Sequence, residues 1–287
     1  MDKKDVQLIL RQLNLKPNKN LGQNFVINQN LIREILEFSN ISSKDTVLEI
    51  GPGLGAITQE LVKIAGRVYA IEIDNRLYAY LRDKFSTHEN IEIIEGDILN
   101  IALPKHEKVV SNIPYSITGP LLEKVFFNEN PSQGILTIEK AIADRIFYKG
   151  TYKNFSKITV SVNSFLKPIK KHVIPRHYFY PAPKIDLALI KMNPKEFIDD
   201  YLLESDNRDF YLKFLGGIMP YKNKNLINAL ELFLKNSNAV ELDKVELHEL
   251  LDLNNMRNDK VFRYQIEDFI NICKLIHHKL KKKASSE

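Results

Sequence analysis

The sequence Asn-Ile-Pro-Tyr at residues 112–115 follows an apolar, β-branched run and combines an amide, a proline and an aromatic ring. The exocyclic amine of adenine is a poor nucleophile because its lone pair is delocalised into the ring. The Asn112 side-chain oxygen and the Ile113 carbonyl could accept both amine hydrogens and push that lone pair towards a methyl donor. Pro114 fixes φ near about −65° and would hold the carbonyl in place, while Tyr115 offers a face for base stacking. The pattern predicts methylation of an amino group on a planar base.

A second group of candidate residues would bind a cofactor. Gly51 and Gly53 lie in a glycine-rich segment where the backbone must turn tightly and approach a ligand. The spacing differs from G-x-G-x-x-G, which argues against a nicotinamide dinucleotide. Glu72 could accept hydrogen bonds from both ribose hydroxyls of an adenosine, and Asp97 would lie near the adenine amine. We predict an adenosine-containing cofactor, and S-adenosylmethionine fits better than NAD.

These candidates fall at the ends of predicted strands that alternate with helices. Strands are predicted over 46–51, 67–74, 91–97, 108–113 and 134–138, and helices over 56–65, 77–85 and 119–127. Such alternation with short links predicts a Rossmann-like, doubly wound parallel sheet, which binds ligands at the carboxyl ends of its strands. Segment 157–166 fits either a helix or a strand, and 185–192 is predicted to close the sheet.

Beyond the predicted sheet, the pattern changes to amphipathic helices. They are predicted over 210–219, 226–234, 245–251 and 266–280. Pro194, the acidic stretch after it and the loss of strand signal indicate a domain boundary. We therefore predict a cofactor-binding α/β domain over residues 1–192 and a small all-helical domain over 193–287.

Composition excludes several classes of protein. The chain has 287 residues, 44% of them hydrophobic and 27% charged, as is usual for globular proteins. Cys273 is the single cysteine, which excludes a disulfide framework or a Cys-rich zinc site and fits a reducing cytosol. The first residues carry charges throughout, unlike a signal peptide, and no uncharged run approaches the ~18 residues of a membrane helix. We expect a cytoplasmic protein with no metal site.

Positive charge is concentrated in one part of the chain. Residues 140–184 hold ten basic residues and one acid, a net charge of +9, whereas the whole chain carries +5. Such a concentration is what neutralisation of nucleic acid phosphates requires. For the five lysines in 274–283, a solvated helix face is the more ordinary interpretation. The candidate RNA-binding residues are Lys149, Lys153, Lys170, Lys171, Arg176 and Lys184.

With these motifs in this order, residues 18–192 resemble the ribosomal RNA adenine N6,N6-dimethyltransferase family. That family includes the small-subunit dimethyladenosine transferases and the erythromycin-resistance methyltransferases of large-subunit rRNA. The resemblance is carried by the glycine segment and by the sequences LGQNF at 21–25, NIPY at 112–115 and FYPAPK at 179–184. It implies S-adenosylmethionine as the methyl donor and two successive transfers to one adenine.

The resemblance also implies roles for individual residues. Positions that match Gln23, Asn24 and Val26 contribute to the cofactor site, and Asn112 contacts the cofactor as well as the base. The position that matches Phe179 packs on the target base opposite Tyr115, because the base is read outside the helix.

The RNA target is less clear than the chemistry. Ile113 is typical of the resistance enzymes, and 221–226 carries lysines where small-subunit enzymes often have arginines. The length of the chain, the form of its glycine segment and the sequence DKVFR at 259–263 favour a small-subunit enzyme. We expect a monomer that acts on rRNA in an immature small subunit. The alternatives are a resistance-type enzyme acting on large-subunit rRNA, or a non-catalytic RNA-binding assembly factor with the same fold.

Overall fold

A computed structural model describes residues 1–114, 117–148, 150, 152–236 and 242–285. The chain forms two compact units: Met1–Phe147 with Leu166–Pro194, and Tyr148–Phe165 with Lys195–Glu287. The domain division after residue 192 stays a prediction. In the structure, the first unit ends at Pro194, and the segment Tyr148–Phe165 belongs to the helical unit.

The first unit is built on a seven-stranded sheet. Its strands are β2 (Thr46–Ile50), β3 (Arg67–Glu72), β4 (Ile91–Glu95), β5 (Lys108–Asn112), β6 (Gln133–Glu139), β7 (Leu166–Ile174) and β9 (Leu187–Pro194). The strand order is β4-β3-β2-β5-β6-β9-β7. The first five strands of this order are parallel, and β9 is antiparallel to both β6 and β7. A separate two-stranded ribbon pairs β1 (Phe25–Val26) with β8 (Phe179–Tyr180).

The described residues of this unit form six α-helices. They are α1 (Lys3–Gln12), α2 (Gln29–Ser39), α3 (Thr58–Ile64), α4 (Asn75–Lys84), α5 (Thr118–Phe126) and α6 (Lys140–Ile146). Helix α2 begins at the Asn28 cap, whose side chain accepts from the Leu31 N–H, and ends at Asn40 in the left-handed conformation. Its apolar stripe of Leu31, Ile32 and Ile35 packs on the same core as strand residues such as Val110 and Leu189.

The Rossmann-like sheet is confirmed, but the prediction that segment 185–192 closes it is wrong. This segment forms β9, which lies between β6 and β7, so β7 is the edge strand. The sequence of β7, LKPIKKHVI, lacks clean alternation and carries lysines and a proline. Those residues are typical of an exposed edge, where charged side chains and proline discourage pairing with other chains.

The second unit is helical. It contains α7 (Lys157–Phe165), α8 (Asp200–Leu203), α9 (Ser205–Ile218), α10 (Leu226–Asn236), α11 (Lys244–Leu253) and α12 (Ile266–Ala284). The ambiguous segment 157–166 is therefore mostly helix. The sequence pattern fits both a helix and a strand because α7 is buried on most sides. It therefore has no polar face that would give the sequence a helical period. None of the helices in the described residues is both long and apolar enough to cross a membrane.

Candidate active site

The glycine segment follows β2 and lies at the edge where the parallel strands end. Gly51 and Gly53 have φ of +67° and +61°, a region that side chains with a Cβ rarely adopt. The Gly51 N–H donates to the Ile71 carbonyl (2.9 Å), which fixes the loop on β3. A Cβ at Gly53 would lie 3.1 Å from the Phe25 ring. The positive φ therefore favours glycine at position 53, and a side chain there would also press on the Phe25 ring.

Glu72 ends β3 and is held rigidly. Its Oε2 accepts the Gly53 N–H and its Oε1 accepts the Asp74 N–H, both at 3.0 Å. The residue is 4% exposed, and burial raises the pKa of its carboxyl above the usual range. Each carboxylate oxygen keeps a second acceptor site after these bonds. The arrangement fits the ribose-binding role predicted for Glu72.

Three candidates from the N-terminal motif lie at the same edge. Gln23 donates from Nε2 to Asp74 Oδ2 (3.1 Å), while its Oε1 accepts the Asn18 N–H (2.8 Å). This amide therefore positions the loop after β3. Asn24 and Val26 line a small cavity together with Gly51, Gly53 and Asn112. The fold thus brings most of the predicted cofactor residues around one cavity.

Asn112 ends β5, and its side-chain oxygen has no hydrogen-bond partner in the part of the chain that the structure describes. Its Nδ2 donates to the Asn24 carbonyl at 2.8 Å. That contact fixes the orientation of the amide, since an oxygen in the same place would face the carbonyl oxygen. Asn112 Oδ1 is buried and accepts no hydrogen bond from the residues that the structure describes. An unpaired buried acceptor costs about 1–3 kcal/mol, so its presence needs an explanation.

The residues that follow Asn112 complete the motif as far as it is described. Ile113 is buried, and its N–H donates to the Thr137 carbonyl of β6 (3.1 Å), so the chain is held in place as the strand ends. Pro114 follows it and is partly buried. Tyr115 lies outside the described residues, so its stacking role stays a prediction.

Phe179 does not present a free face to a base. Its ring is 2% exposed and packs in the core with Val26, its partner in the β1–β8 ribbon. The alternation of the two-residue strand turns Phe179 inwards and leaves Tyr180 partly exposed. Stacking by Phe179 would require this ribbon to open, and the role stays a prediction.

Asp97 follows β4, and its side chain makes hydrogen bonds within the turn that it begins. Its two carboxylate oxygens accept the Leu99 N–H and the Asn100 Nδ2, both at 2.9 Å. These bonds shape the turn at the sheet edge where the adenine would lie. Direct contact between Asp97 and adenine stays a prediction.

Glu49 is a site residue that sequence reasoning missed. It lies within β2, is almost fully buried and lines the same cavity as Asn112 and Gly51. Burial and the nearby charge of Glu72 raise its pKa to about 8, and its Oε2 lacks a hydrogen-bond partner among the described residues. The available signal was a carboxylate inside an apolar strand, two residues before the glycine segment.

The predicted RNA-binding residues separate into different environments. Lys170 lies over the Phe38 ring (4.2 Å), whereas Lys171 pairs with Asp144 (2.7 Å). Arg176 donates from Nε to Asp186 (2.8 Å), and Lys184 is exposed. Lys149 and the side chain of Lys153 lie outside what the structure describes. Within the described residues, no group of three His, Cys, Asp or Glu could hold a metal ion.

Comparison with known proteins agrees with this geometry. Residues 14–276 match the family described as ribosomal RNA adenine dimethylase. A Thermococcus sibiricus protein named "Probable ribosomal RNA small subunit methyltransferase A" is 34% identical over 92% of this chain and 93% of its own length. The ribosomal RNA small subunit methyltransferase A of Halothermothrix orenii is 32% identical over 82% of this chain and 80% of its own length.

Two solved structures are similar over nearly the whole chain. A dimethyladenosine transferase from Plasmodium falciparum has a TM-score of 0.73 and 25% identity, covering 90% of this chain and 98% of its own. The 23S rRNA methyltransferase ErmE has a TM-score of 0.61 and 26% identity, covering 88% of this chain and 99% of its own.

Proposed function

The chain belongs to the ribosomal RNA adenine dimethylase family, and we propose that it transfers methyl groups from S-adenosylmethionine to N6 of adenosines in small-subunit rRNA. One observation carries the proposal: Asn112 Oδ1 is buried, accepts no hydrogen bond from the described residues, and lies beside the glycine segment that is bonded to Glu72. An unpaired acceptor in that position fits a substrate that donates a hydrogen, as an amine does, and does not fit a substrate that reacts at carbon.

The residues of the chain act on the amine mainly by alignment. S-adenosylmethionine, when bound, supplies an electrophilic methyl group. Asn112 Oδ1 and the Ile113 carbonyl accept the two N6 hydrogens, so the nitrogen lone pair points out of the ring plane towards that methyl group. Both acceptors lie in buried surroundings, where a hydrogen bond is stronger than in water. No general base is needed before transfer, because the amine loses its proton afterwards; the gain comes from orientation.

The cofactor would be held at the edge of the sheet where Gly51, Gly53, Glu72 and Asn112 lie, called here the cofactor edge. Glu72 has one acceptor site left on each oxygen for the ribose hydroxyls, and the positive φ of Gly51 and Gly53 opens the backbone to the ligand. Asn24 and Val26 line the cavity on the side of Asn112. After one methyl transfer only one N6 hydrogen remains, so dimethylation requires one acceptor to be released.

The choice of small-subunit rRNA rests on relatives. Proteins named ribosomal RNA small subunit methyltransferase A match most of this chain at about a third identity. We propose that the substrate is an immature small ribosomal subunit, that the enzyme works as a monomer, and that it acts in the cytoplasm during ribosome biogenesis.

The proposal is tested by supplying labelled S-adenosylmethionine with either small subunits that lack the modification or naked large-subunit rRNA. We expect label in N6,N6-dimethyladenine of small-subunit rRNA. Absence of label from adenine N6, in a preparation that binds the cofactor, would refute the proposal.

A resistance-type enzyme is the second candidate, favoured by Ile113 and by the similarity to ErmE. The same assay separates the two, because this candidate would label naked large-subunit rRNA instead. A non-catalytic assembly factor would leave both RNAs unlabelled, and an inactive variant would then rescue a strain that lacks the protein.

A further inference from the structure

Three lysines of β7 and β9, the antiparallel strands at one edge of the sheet, lie on the same face of that sheet. Lys170 of β7 is the register partner of Lys191 of β9, and Lys167 is the partner of Asn193. Register partners project from the same face, and residues two apart on a strand do as well. Lys167, Lys170 and Lys191, called here the strand-face lysines, therefore share the face on which Leu189 packs against α2.

A β-bulge produces this arrangement. Lys167 and Lys170 are three residues apart, so a regular strand would place them on opposite faces. The register shifts between Pro168 and Lys170, which inserts Ile169 as an extra residue and restores both lysines to one face. Lys171, the next residue, projects to the other face and pairs with Asp144.

The positive charge of the strand-face lysines is not neutralised within the described part of the chain. Neither Lys170 nor Lys191 pairs there with a carboxylate, and Lys170 instead lies over the Phe38 ring at 4.2 Å. Burial and the charges of Lys108 and Lys170 lower the pKa of Lys191.

Two acidic groups near this face already have partners. Asp45 pairs with Lys108 (3.1 Å), and Glu34 contacts His172. Lys167 and Lys170 are exposed, and Lys191 is partly buried. The face therefore carries ammonium groups that are accessible and crowded by like charge, and that an external anion would stabilise.

We propose that the strand-face lysines bind the phosphate backbone of the RNA substrate, at a second contact separate from the cofactor edge; this rests on the proposed function. Lysine provides a point charge that suits phosphates without reading sequence. Asn112 of β5 and Leu189 of β9 both pair with Thr137 of β6, so they lie level with each other. Lys191 is two residues along β9 from Leu189, and β9 is two strands from β5. With about 5 Å between strands and 3.3 Å per residue, the backbone separation is on the order of 12 Å. Phosphates flanking the target base, rather than the base itself, would lie there.

The test is the salt dependence of binding to unmodified small subunits. Each phosphate contact contributes about 0.7–0.9 to the slope of log affinity against log salt concentration. The variant K170A/K191A is expected to lower the magnitude of that slope by about 1.4–1.8, with unchanged affinity for S-adenosylmethionine. Lys124→Ala is the matched control: Lys124 is exposed on α5, which packs on the other face through Phe126, next to Met192.

A wild-type slope in K170A/K191A, or an equal loss in the Lys124→Ala control, would overturn the proposal. The charge-conserving variant K170R/K191R guards against a purely structural effect. It is expected to keep the wild-type slope, and a loss as large as that of K170A/K191A would refute phosphate binding.

The result is distinguishable from failure of the proposed function. If the wild type binds RNA with a steep salt slope but labels no adenine N6, the proposed reaction fails while the surface stands. If the wild type methylates and K170A/K191A keeps the wild-type salt slope, phosphate binding by the strand-face lysines is refuted and the proposed reaction is not.

Discussion

The cofactor edge and the strand-face lysines are built in opposite ways, although both lie on one sheet. At the cofactor edge, buried acceptors are held by backbone contacts and left with spare capacity: Glu72 by two N–H groups, and Asn112 by the Asn24 carbonyl. Among the strand-face lysines, Lys167 and Lys170 are exposed and Lys191 is partly buried, and no carboxylate of the described residues pairs with Lys170 or Lys191. The difference suggests a division of labour, in which rigid buried acceptors align the reacting groups and exposed cations capture the RNA.

The largest effect is expected at Asn112. Asn112→Ala removes the acceptor, and we expect methyl transfer at saturating RNA to fall by about 10²–10³-fold, comparable to loss of one preorganised hydrogen-bonding group elsewhere. Cofactor affinity should stay within about tenfold, or ~1.4 kcal/mol. Single-turnover rates and cofactor titration measure the two separately. Equal loss of both would mean that Asn112 is structural and that the division does not hold.

Glu49 tests how strongly the cofactor edge depends on burial. Its pKa of about 8 lies above the usual 4.5, so the folded protein holds this proton more tightly than the unfolded chain. This contribution to stability is fully present below pH 4.5 and is lost as pH rises to about 8. Glu49→Gln should remove this pH-dependent fall in the free energy of unfolding. The fall is on the order of a few kcal/mol, since one pKa unit is about 1.4 kcal/mol.

Urea unfolding of the cofactor-free wild type and Glu49→Gln at pH 5 and pH 8 measures this difference. If the free energy of unfolding changes equally in both proteins between pH 5 and pH 8, the pKa of Glu49 is not raised by folding. The cofactor edge would then hold more water than its geometry indicates.

Gly53 tests the backbone of the cofactor edge. In Gly53→Ala, a φ of +61° costs roughly 1–2 kcal/mol, and the new Cβ meets the Phe25 ring at 3.1 Å. We expect the free energy of unfolding to fall by about 1–2 kcal/mol. Cofactor affinity should fall as well, because the loop must shift from the conformation in which its backbone approaches the ligand, and the salt slope of RNA binding should be unchanged. Gly216→Ala is a control, because Gly216 is helical with open space around it. Unaltered cofactor affinity in Gly53→Ala would contradict the close approach inferred for the glycine segment.

The smallest effects distinguish Lys170 from its neighbour. Lys170→Ala should lower the salt slope of RNA binding by about 0.7–0.9. Lys171→Ala loses the ion pair with Asp144 and should lower the free energy of unfolding by about 0.2–1 kcal/mol. RNA titrations and urea unfolding of both variants provide the comparison. If both substitutions change the salt slope equally, the two faces of β7 are not functionally distinct.

The two regions also differ in how far the sequence predicts them. The cofactor edge follows from contiguous motifs at strand ends, because parallel strands bring those ends together whatever the details of packing. The sequence therefore predicts that Gly51, Gly53, Glu72 and Asn112 lie near one another, and the fold brings them together, while their binding roles stay predictions. Glu49 was overlooked because a carboxylate inside an apolar strand is read as part of the strand pattern.

The strand-face lysines could not be predicted in the same way. Lys170 and Lys171 are both candidates because they lie in the same basic segment, yet a strand sends neighbouring residues to opposite faces. Lys191 was not a candidate, since its proximity to Lys170 depends on the register of two antiparallel strands. The bulge at Ile169 leaves no clear pattern in the sequence. Phe179 shows the same limit, because its burial depends on pairing with Val26, which lies 153 positions earlier in the chain.

The division between chemistry and RNA capture is tested most directly by single-turnover methylation as a function of RNA concentration, in Asn112→Ala and in K170A/K191A. We predict that Asn112→Ala lowers the plateau rate and leaves the half-saturating RNA concentration near that of the wild type. K170A/K191A should raise the half-saturating concentration, increasingly so at higher salt, and leave the plateau near that of the wild type. If both variants change the same parameter, the two regions do not have separate roles and the account is wrong.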